Sequence, residues 1–292
     1  MKRLVCLTLL LPSLAHGAWP NDVNLSQMTE HGGLRVVDTD LLGADYQTLV
    51  AELGTAIANK PLAPAETLGA SGFDFSLSNT FVFVMAHRND GTPSPWERAH
   101  EAEDPSAYLL VPTLSARKGL PFSLEAGANL SWIAMSRNGA FGGYGRLSIV
   151  EGYKPAPDLT IQIGYSGYVG NDEIEVGVMD MGVTLGSTFP FGTFPGINSS
   201  QFSPYLNFTL LRITASPLID EAVATTINAA AITGKDAITL PQVGGGFQIT
   251  NGTFLMRLVG TWAPTPAPPE SLEGDYPRRG VPQVSFSVGW QY

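Results

Sequence analysis

From Phe122 to Ala134 the even-numbered residues read Phe, Leu, Ala, Ala, Leu, Trp and Ala, while the odd-numbered ones from Ser123 to Ser131 read Ser, Glu, Gly, Asn and Ser. A period of two sends successive side chains to opposite faces of an extended strand, so one face is apolar and the other polar. The pattern returns at Phe73, Phe75 and Leu77, at Leu159, Ile161, Ile163 and Tyr165, and at Phe254, Met256, Leu258 and Trp262. Strands of soluble sheets average about five or six residues, whereas strands that cross a membrane need about 9–11. These runs are of the longer kind.

Composition narrows the class further. Only 14% of the 292 residues are charged, and 32 are Gly and 22 Pro, against about a quarter charged in an ordinary soluble domain. Sixteen Lys and Arg face 26 Asp and Glu, a formal charge of −10, which excludes a nucleic-acid binder in need of a basic footprint. A hydrophobic content of 44% is enough to order the chain. Lys2 and Arg3 precede an apolar run from Leu4 to Leu14, followed by Ala15-His16-Gly17. That is the layout of a secretory signal peptide, and cleavage is expected after Gly17 or Ala18. The run is too short to cross a bilayer as a helix, which takes about 20 residues. Its removal takes Cys6 with it and leaves 14 basic against 26 acidic residues, a balance of −12 with no cysteine. Thiol catalysis and cysteine metal sites are thereby excluded from the mature chain.

About ten strands (8 to 12) are expected, at 72–86, 106–116, 121–136, 140–152, 158–169, 173–189, 202–214, 239–250, 253–263 and 282–292, an even number as bacterial single-chain barrels require. The last ends on Tyr292, with Trp290, Val288, Phe286 and Val284 at every second position before it. On these features the chain resembles outer-membrane β-barrel proteins of Gram-negative bacteria, whose closing strand ends in an aromatic residue. The resemblance implies an all-β fold, a transmembrane antiparallel up-and-down barrel, and an assembly signal at Val284, Phe286, Val288, Trp290 and Tyr292. The stretches 64–69 and 117–121 are similar to barrels of this broad class that carry no assigned chemistry. The expected organisation is a signal peptide at 1–17, a periplasmic N-terminal segment with a helix at 18–67, and the barrel at 68–292. With the C-terminus periplasmic, the connections at 87–105, 137–139, 170–172, 215–238 and 264–281 face outward, and the turn at 191–201 is longer than the class leads one to expect.

Parity assigns Asp74, Glu125, Asn129, Arg146, Asp180 and Arg257 to the lumen, since each would cost a few kcal/mol in hydrocarbon. About ten strands leave a narrow interior, so a general diffusion porin is disfavoured. Two functions follow: a narrow channel or transporter for a small or apolar solute, or a structural or surface-interaction barrel whose filled lumen leaves the work to external loops. Expected partners are outer-membrane lipid, lipopolysaccharide and the barrel-assembly machinery; no cofactor motif occurs, and Gly244-Gly245-Gly246 lies in a strand rather than in a phosphate loop.

Two helices interrupt the pattern. Tyr46, Leu49, Val50, Leu53 and Ile57 make one apolar stripe within 45–59, and Pro61 ends it. A helix is about 10–12 Å wide with side chains, so this one is expected to pack across the rim rather than enter the barrel. A second helix is expected at 218–231, in an external loop. His87 and His100 share the first loop with Asp90, Glu97, Glu101, Glu103 and Asp104. Outer-membrane proteases and phospholipases carry external or strand-borne histidine sites, but their defining acidic pairs and His-x-Ser spacing are not found, and no enzyme activity is expected.

Overall fold

The computed structural model describes residues 19–31, 34–35, 39–89, 91–100, 105–153, 156–191, 200–218, 236–274, 276–277 and 279–292. Ten long strands carry most of the chain: β1 Phe73–Phe83, β2 Tyr108–Leu120, β3 Leu124–Trp132, β4 Gly139–Val150, β5 Asp158–Val169, β6 Ile174–Gly186, β7 Ser200–Pro217, β8 Asp236–Asn251, β9 Phe254–Pro264 and β10 Gly280–Gln291. Each pairs antiparallel with the next. β10 returns to β1 and closes the cylinder, with Trp290 opposite Phe75. Phe73 and Tyr292 exchange backbone hydrogen bonds of 2.9 and 2.8 Å at the seam. All ten expected strands are present. The long turn expected near 191–201 holds a short strand, Phe189–Phe191, laid against Ser200–Phe202.

The faces are inverted relative to a soluble barrel. Along β1, Phe73, Phe75, Leu77, Phe81 and Phe83 point outward and are exposed, while Asp74, Ser76, Ser78, Thr80 and Val82 point inward and are buried. Exposed Phe83, Tyr108, Trp132 and Trp262 ring one end of the wall, and Phe122, Phe189, Phe254, Trp290 and Tyr292 ring the other. An outward apolar band between two aromatic girdles is the surface a bilayer solvates. The first end carries the long connections and is called here the loop end; the second carries the turns at 121–123 and 252–253 and is the turn end.

Inside, the strands are polar near the turn end and apolar near the loop end. β1 reads Asp74, Ser76, Ser78, Thr80 and then Val82; β7 reads Asn207, Thr209 and then Leu211, Ile213, Ala215. The apolar collar receives a helix. α1, Thr39–Ile57, buries Tyr46, Leu49, Val50 and Leu53 completely, in one cluster with Val82, Leu109, Val111, Val176, Val178, Leu211, Ile213 and Leu240. Every residue from Thr48 to Asn59 is buried, polar ones included, as in a helix surrounded on all sides.

The expectation of rim packing is therefore corrected. The width argument assumed long side chains, but α1 carries Gly43, Ala44, Ala51, Gly54 and Ala56. A Cβ on Gly54 would stand 2.5 Å from Cγ2 of Ile213, so backbone and wall meet directly there. Before α1, residues 19–24 lie against the loop end: Asn21 N donates to Met135 O (3.0 Å), Asn24 N to Ala99 O (2.8 Å) and Asn171 Nδ2 to Val23 O (2.8 Å). After it, the chain descends in extended form to the turn end, where Thr67 N donates to Glu151 Oε1 (2.7 Å). The segment expected at 18–67 as a piece set before the barrel thus runs through it. The expected signal peptide and the expected helix at 218–231 lie outside the described residues.

Candidate functional site

All six residues assigned to the lumen by parity face it, and two groups form among them. In the first, Asp74 Oδ2 accepts from Arg117 Nη2 (2.7 Å) and from Arg257 Nη2, and Glu125 Oε1 accepts from Arg117 Nη1 (3.0 Å) and Arg146 Nη1 (3.0 Å). Arg257 Nε reaches Gln248 Oε1 (2.7 Å), and Arg146 Nη2 reaches Pro64 O (2.5 Å) of the descending segment. This chain of charges spans the wall from β8 round to β4. In the second, Asn59, at the foot of α1, donates to Asp180 Oδ1 (2.6 Å) and accepts from Asn129 Nδ2 (2.9 Å), while Gln162 Nε2 donates to Asp180 Oδ2 (3.0 Å).

Arg117, Asn59, Gln162 and Gln248 are members that the sequence reading does not assign to the lumen, and Lys60 follows Asn59 in the chain, its Nζ donating to Thr55 O. Arg117 has the inward parity of Leu109 to Ser115, but lies one residue beyond the expected strand end at 116, whereas the strand runs on to Leu120. Asn59 and Lys60 carry no strand signal at all; only the entry of α1 brings them here. The salt bridges are almost wholly buried, so each half-pair depends on its partner.

A cavity of about 20 Å³, room for about one water, lies between residues 56–63 and strands β1 to β4 and β9.

The loop end is locked onto α1 by a second set of polar contacts. Asp45 Oδ1 is bonded by Arg88, its Oδ2 lies 2.9 Å from Arg98 Nε, and Tyr276 OH donates to it at 2.9 Å. Glu52 accepts from Met85 N (2.9 Å) and Trp96 Nε1 (2.5 Å). Burial pushes the Glu52 carboxyl up to about 7 against the pull of those two donors. Ser94 caps α2, Pro95–Arg98, with a reciprocal bond to Glu97, whose carboxylate also meets His87 Nδ1 at 2.8 Å. His100 stacks beside Trp96, 5.6 Å between ring centres, and burial lowers it to about 4 despite nearby Asp22. The two loop histidines are thus divided between a helix cap and a buried stack. Asp90, Glu101, Glu103 and Asp104 lie outside the described residues. Among the described residues no set of three or more His, Cys, Asp or Glu is placed to hold a metal ion, and Gly244 to Gly246 lie within β8.

Outside the wall, Val284, Phe286, Val288, Trp290 and Tyr292 follow outward parity along the seam strand, as the alternation requires. A groove of about 750 Å³ opens on the same outer face between β2 and β7, floored by Ala126 and Gly145 and walled by Leu147, Ile163, Met181 and Phe208.

No family model matches the chain, and no curated protein matches it. Among solved structures it is similar to the N-terminal β-barrel domain of OprF from Pseudomonas aeruginosa (10% identity, 77% of this chain and 99% of that one, TM-score 0.30) and to Neisserial surface protein A (14%, 76% and 97%, TM-score 0.30). It is also similar to the outer-membrane protease OmpT of Escherichia coli (10%, 76% and 95%, TM-score 0.29). The neighbours are outer-membrane β-barrel proteins, one of them an enzyme, and this chain is by its own strand pairing a closed, ten-stranded antiparallel barrel.

Proposed function

We propose that this chain is an outer-membrane barrel sealed by its own N-terminal segment, whose function is exercised at the loop end rather than through the lumen. The observation that carries this is the burial of every α1 residue from Thr48 to Ile57 within the apolar collar, above a cavity of about 20 Å³. Short turns belong to the periplasm and long connections to the exterior, so the loop end faces out. Residues 19–24 are then presented at the cell surface beside the first, second and third outer connections. The aromatic girdles sit in lipid and lipopolysaccharide, and the strand ending at Tyr292 is the part offered to the assembly machinery. The exported location rests on the leader-like 1–17. No catalytic step and no cofactor belong to this reading.

Planar-bilayer recording tests it. The purified barrel is expected to show no steady conductance, and exchanging Arg146 and Arg257 together for Gln is expected to lower stability without creating ion selectivity. A steady wild-type conductance whose selectivity follows those two arginines overturns the sealed reading. One observation supports a second reading, passage of an apolar solute along the wall: the outer groove floored by Gly145. It requires that filling the groove by Gly145→Leu abolish uptake of such a solute while the barrel still folds.

A further inference from the structure

We propose that the polar half of the barrel binds one small monovalent anion of halide size, held between Lys60, Arg117 and Arg257. The cavity at that point is about 20 Å³, the size for one water or one small ion. Three cations line it and no carboxylate does. Beside the cations it presents side-chain hydroxyls, among them those of Ser115 and Tyr144, and the amides of Asn59 and Asn129, which bond one another at 2.9 Å. Arg117 Nε is buried with no partner. Lys60 spends one of its three hydrogens on Thr55 O at 2.6 Å. Ser76 Oγ already accepts from Arg257 Nη1 at 3.3 Å, which leaves its own hydrogen to give.

Charge points the same way. The carboxylates of this half lie behind the cations and are committed: Asp74 to Arg117 and Arg257, Glu125 to Arg117 and Arg146, and Asp180 to Asn59 and Gln162. Around the cavity Lys60, Arg117, Arg146 and Arg257 face Asp74, Glu125 and Asp180, a local excess of one positive charge that only the fourth buried carboxylate, Asp158, evens out. Asp158, nearer the turn end, serves the backbone of Gly152 at 2.7 Å. An unpaired charge away from water is costly. A water would satisfy the donors but not the charge, whereas a halide does both. Oxyanions such as sulfate exceed the space, and a metal cation would meet three like charges.

The test uses the full mature barrel in detergent. Crystals grown in bromide are expected to show an anomalous peak in the cavity beside Lys60 and Arg117; bromide found only on the protein surface, or nowhere, overturns the proposal. In parallel, unfolding is followed in chloride and in gluconate, a bulky monovalent anion, at equal ionic strength. The midpoint is expected to be several degrees higher in chloride, by the linkage of binding to stability. That advantage should vanish in Lys60→Met and shrink in Ser115→Ala, which removes a single hydroxyl, and should persist in Arg212→Gln, an outward-facing cation. Equal midpoints in the two salts for wild type, or loss of the advantage in Arg212→Gln as well, would reject a lumenal site. The bromide experiment stands alone should Lys60→Met not fold.

Discussion

The two halves of the barrel interior are built on different physics. Near the loop end, α1 and the collar of Val82, Leu109, Val178, Leu211 and Ile213 form a core like that of a soluble domain, held by removal of apolar surface from water. Near the turn end the buried apolar cluster shrinks to Leu62, Tyr205 and Val259. Arg117, Arg146 and Arg257 bridge Asp74 and Glu125 around an extended peptide, and the contacts are directional and charged. The first half tolerates changes of shape that preserve volume; the second tolerates almost no loss of one partner. What separates them is the covering element: a helix can bury apolar wall, while an extended strand of backbone presents carbonyls, such as Pro64 O and Ala65 O, that call for donors.

The sharpest way to break this contrast is Asp74→Ala. It leaves Arg117 and Arg257 facing one another, and a loss of about 3–5 kcal/mol is expected in urea unfolding. If the polar half is organised as described, exchanging Asp74 and Arg257 together for Leu and Met should recover much of that loss. Next comes Leu49→Ala, which should cost about 3 kcal/mol by leaving a cavity in the collar. Leu49→Met should cost under about 1.5 kcal/mol, because volume is nearly kept. A polar-half residue treated as gently, Arg257→Lys, should not be spared in this way, since its fork also serves Gln248 and Ser76.

The pH response distinguishes the seam between plug and loops from both halves. Glu52 lies above its free value of 4.5, at about 7, so the folded state holds a proton that the unfolded state has released. Its contribution is full below pH 4.5 and is lost as pH rises through 7, at most about 3 kcal/mol. His100 has the opposite slope: lowered from 6.5 to about 4, it gives stability that disappears as pH falls through that window. Wild type minus Glu52→Gln, compared between pH 5 and 8, should therefore decline with pH; a flat difference would show that Glu52 is not buried as described. The smallest effect is expected from Gly145→Ala on the lipid face, where an added Cβ meets nothing within 4 Å. A change within about 0.5 kcal/mol is expected, and a larger one would mean that another molecule packs there.

The wall was legible because a membrane barrel imposes a period of two on every strand, and residues from Phe73 to Tyr292 obey it. The same parity puts Asp74, Glu125, Asn129, Arg146, Asp180 and Arg257 on the face opposite the exposed apolar band. The plug was not read, although a signal for it exists. Val82 and Val84 after Thr80, or Leu211 and Ile213 after Thr209, are inward positions that turn apolar toward the loop end. A strand apolar on both faces at one end needs an apolar neighbour inside, and the stripe of Tyr46, Leu49, Val50 and Leu53 was the available partner. Arg117 was lost to a boundary, since the strand expected at 106–116 in fact continues to Leu120. Asn59 and Lys60 were beyond reach, because their role depends on how far a helix of small residues descends.

The seam where β10 meets β1 lies around a segment that precedes both in the chain. Phe73 lies far ahead of Tyr292 in the chain and can exchange backbone bonds with it only after the strands between them are in place. Until then the sheet is an open, curling surface, and α1 need only settle against its concave side. Sealing the last pair converts that settled helix into an enclosed one, so no tip of chain ever has to be pulled through a finished ring. A variant that closed early would be trapped with the helix outside and its collar bare, an error that no local rearrangement repairs without reopening the seam. The order in time of two events, docking and closure, is therefore as much a part of this fold as any contact within it.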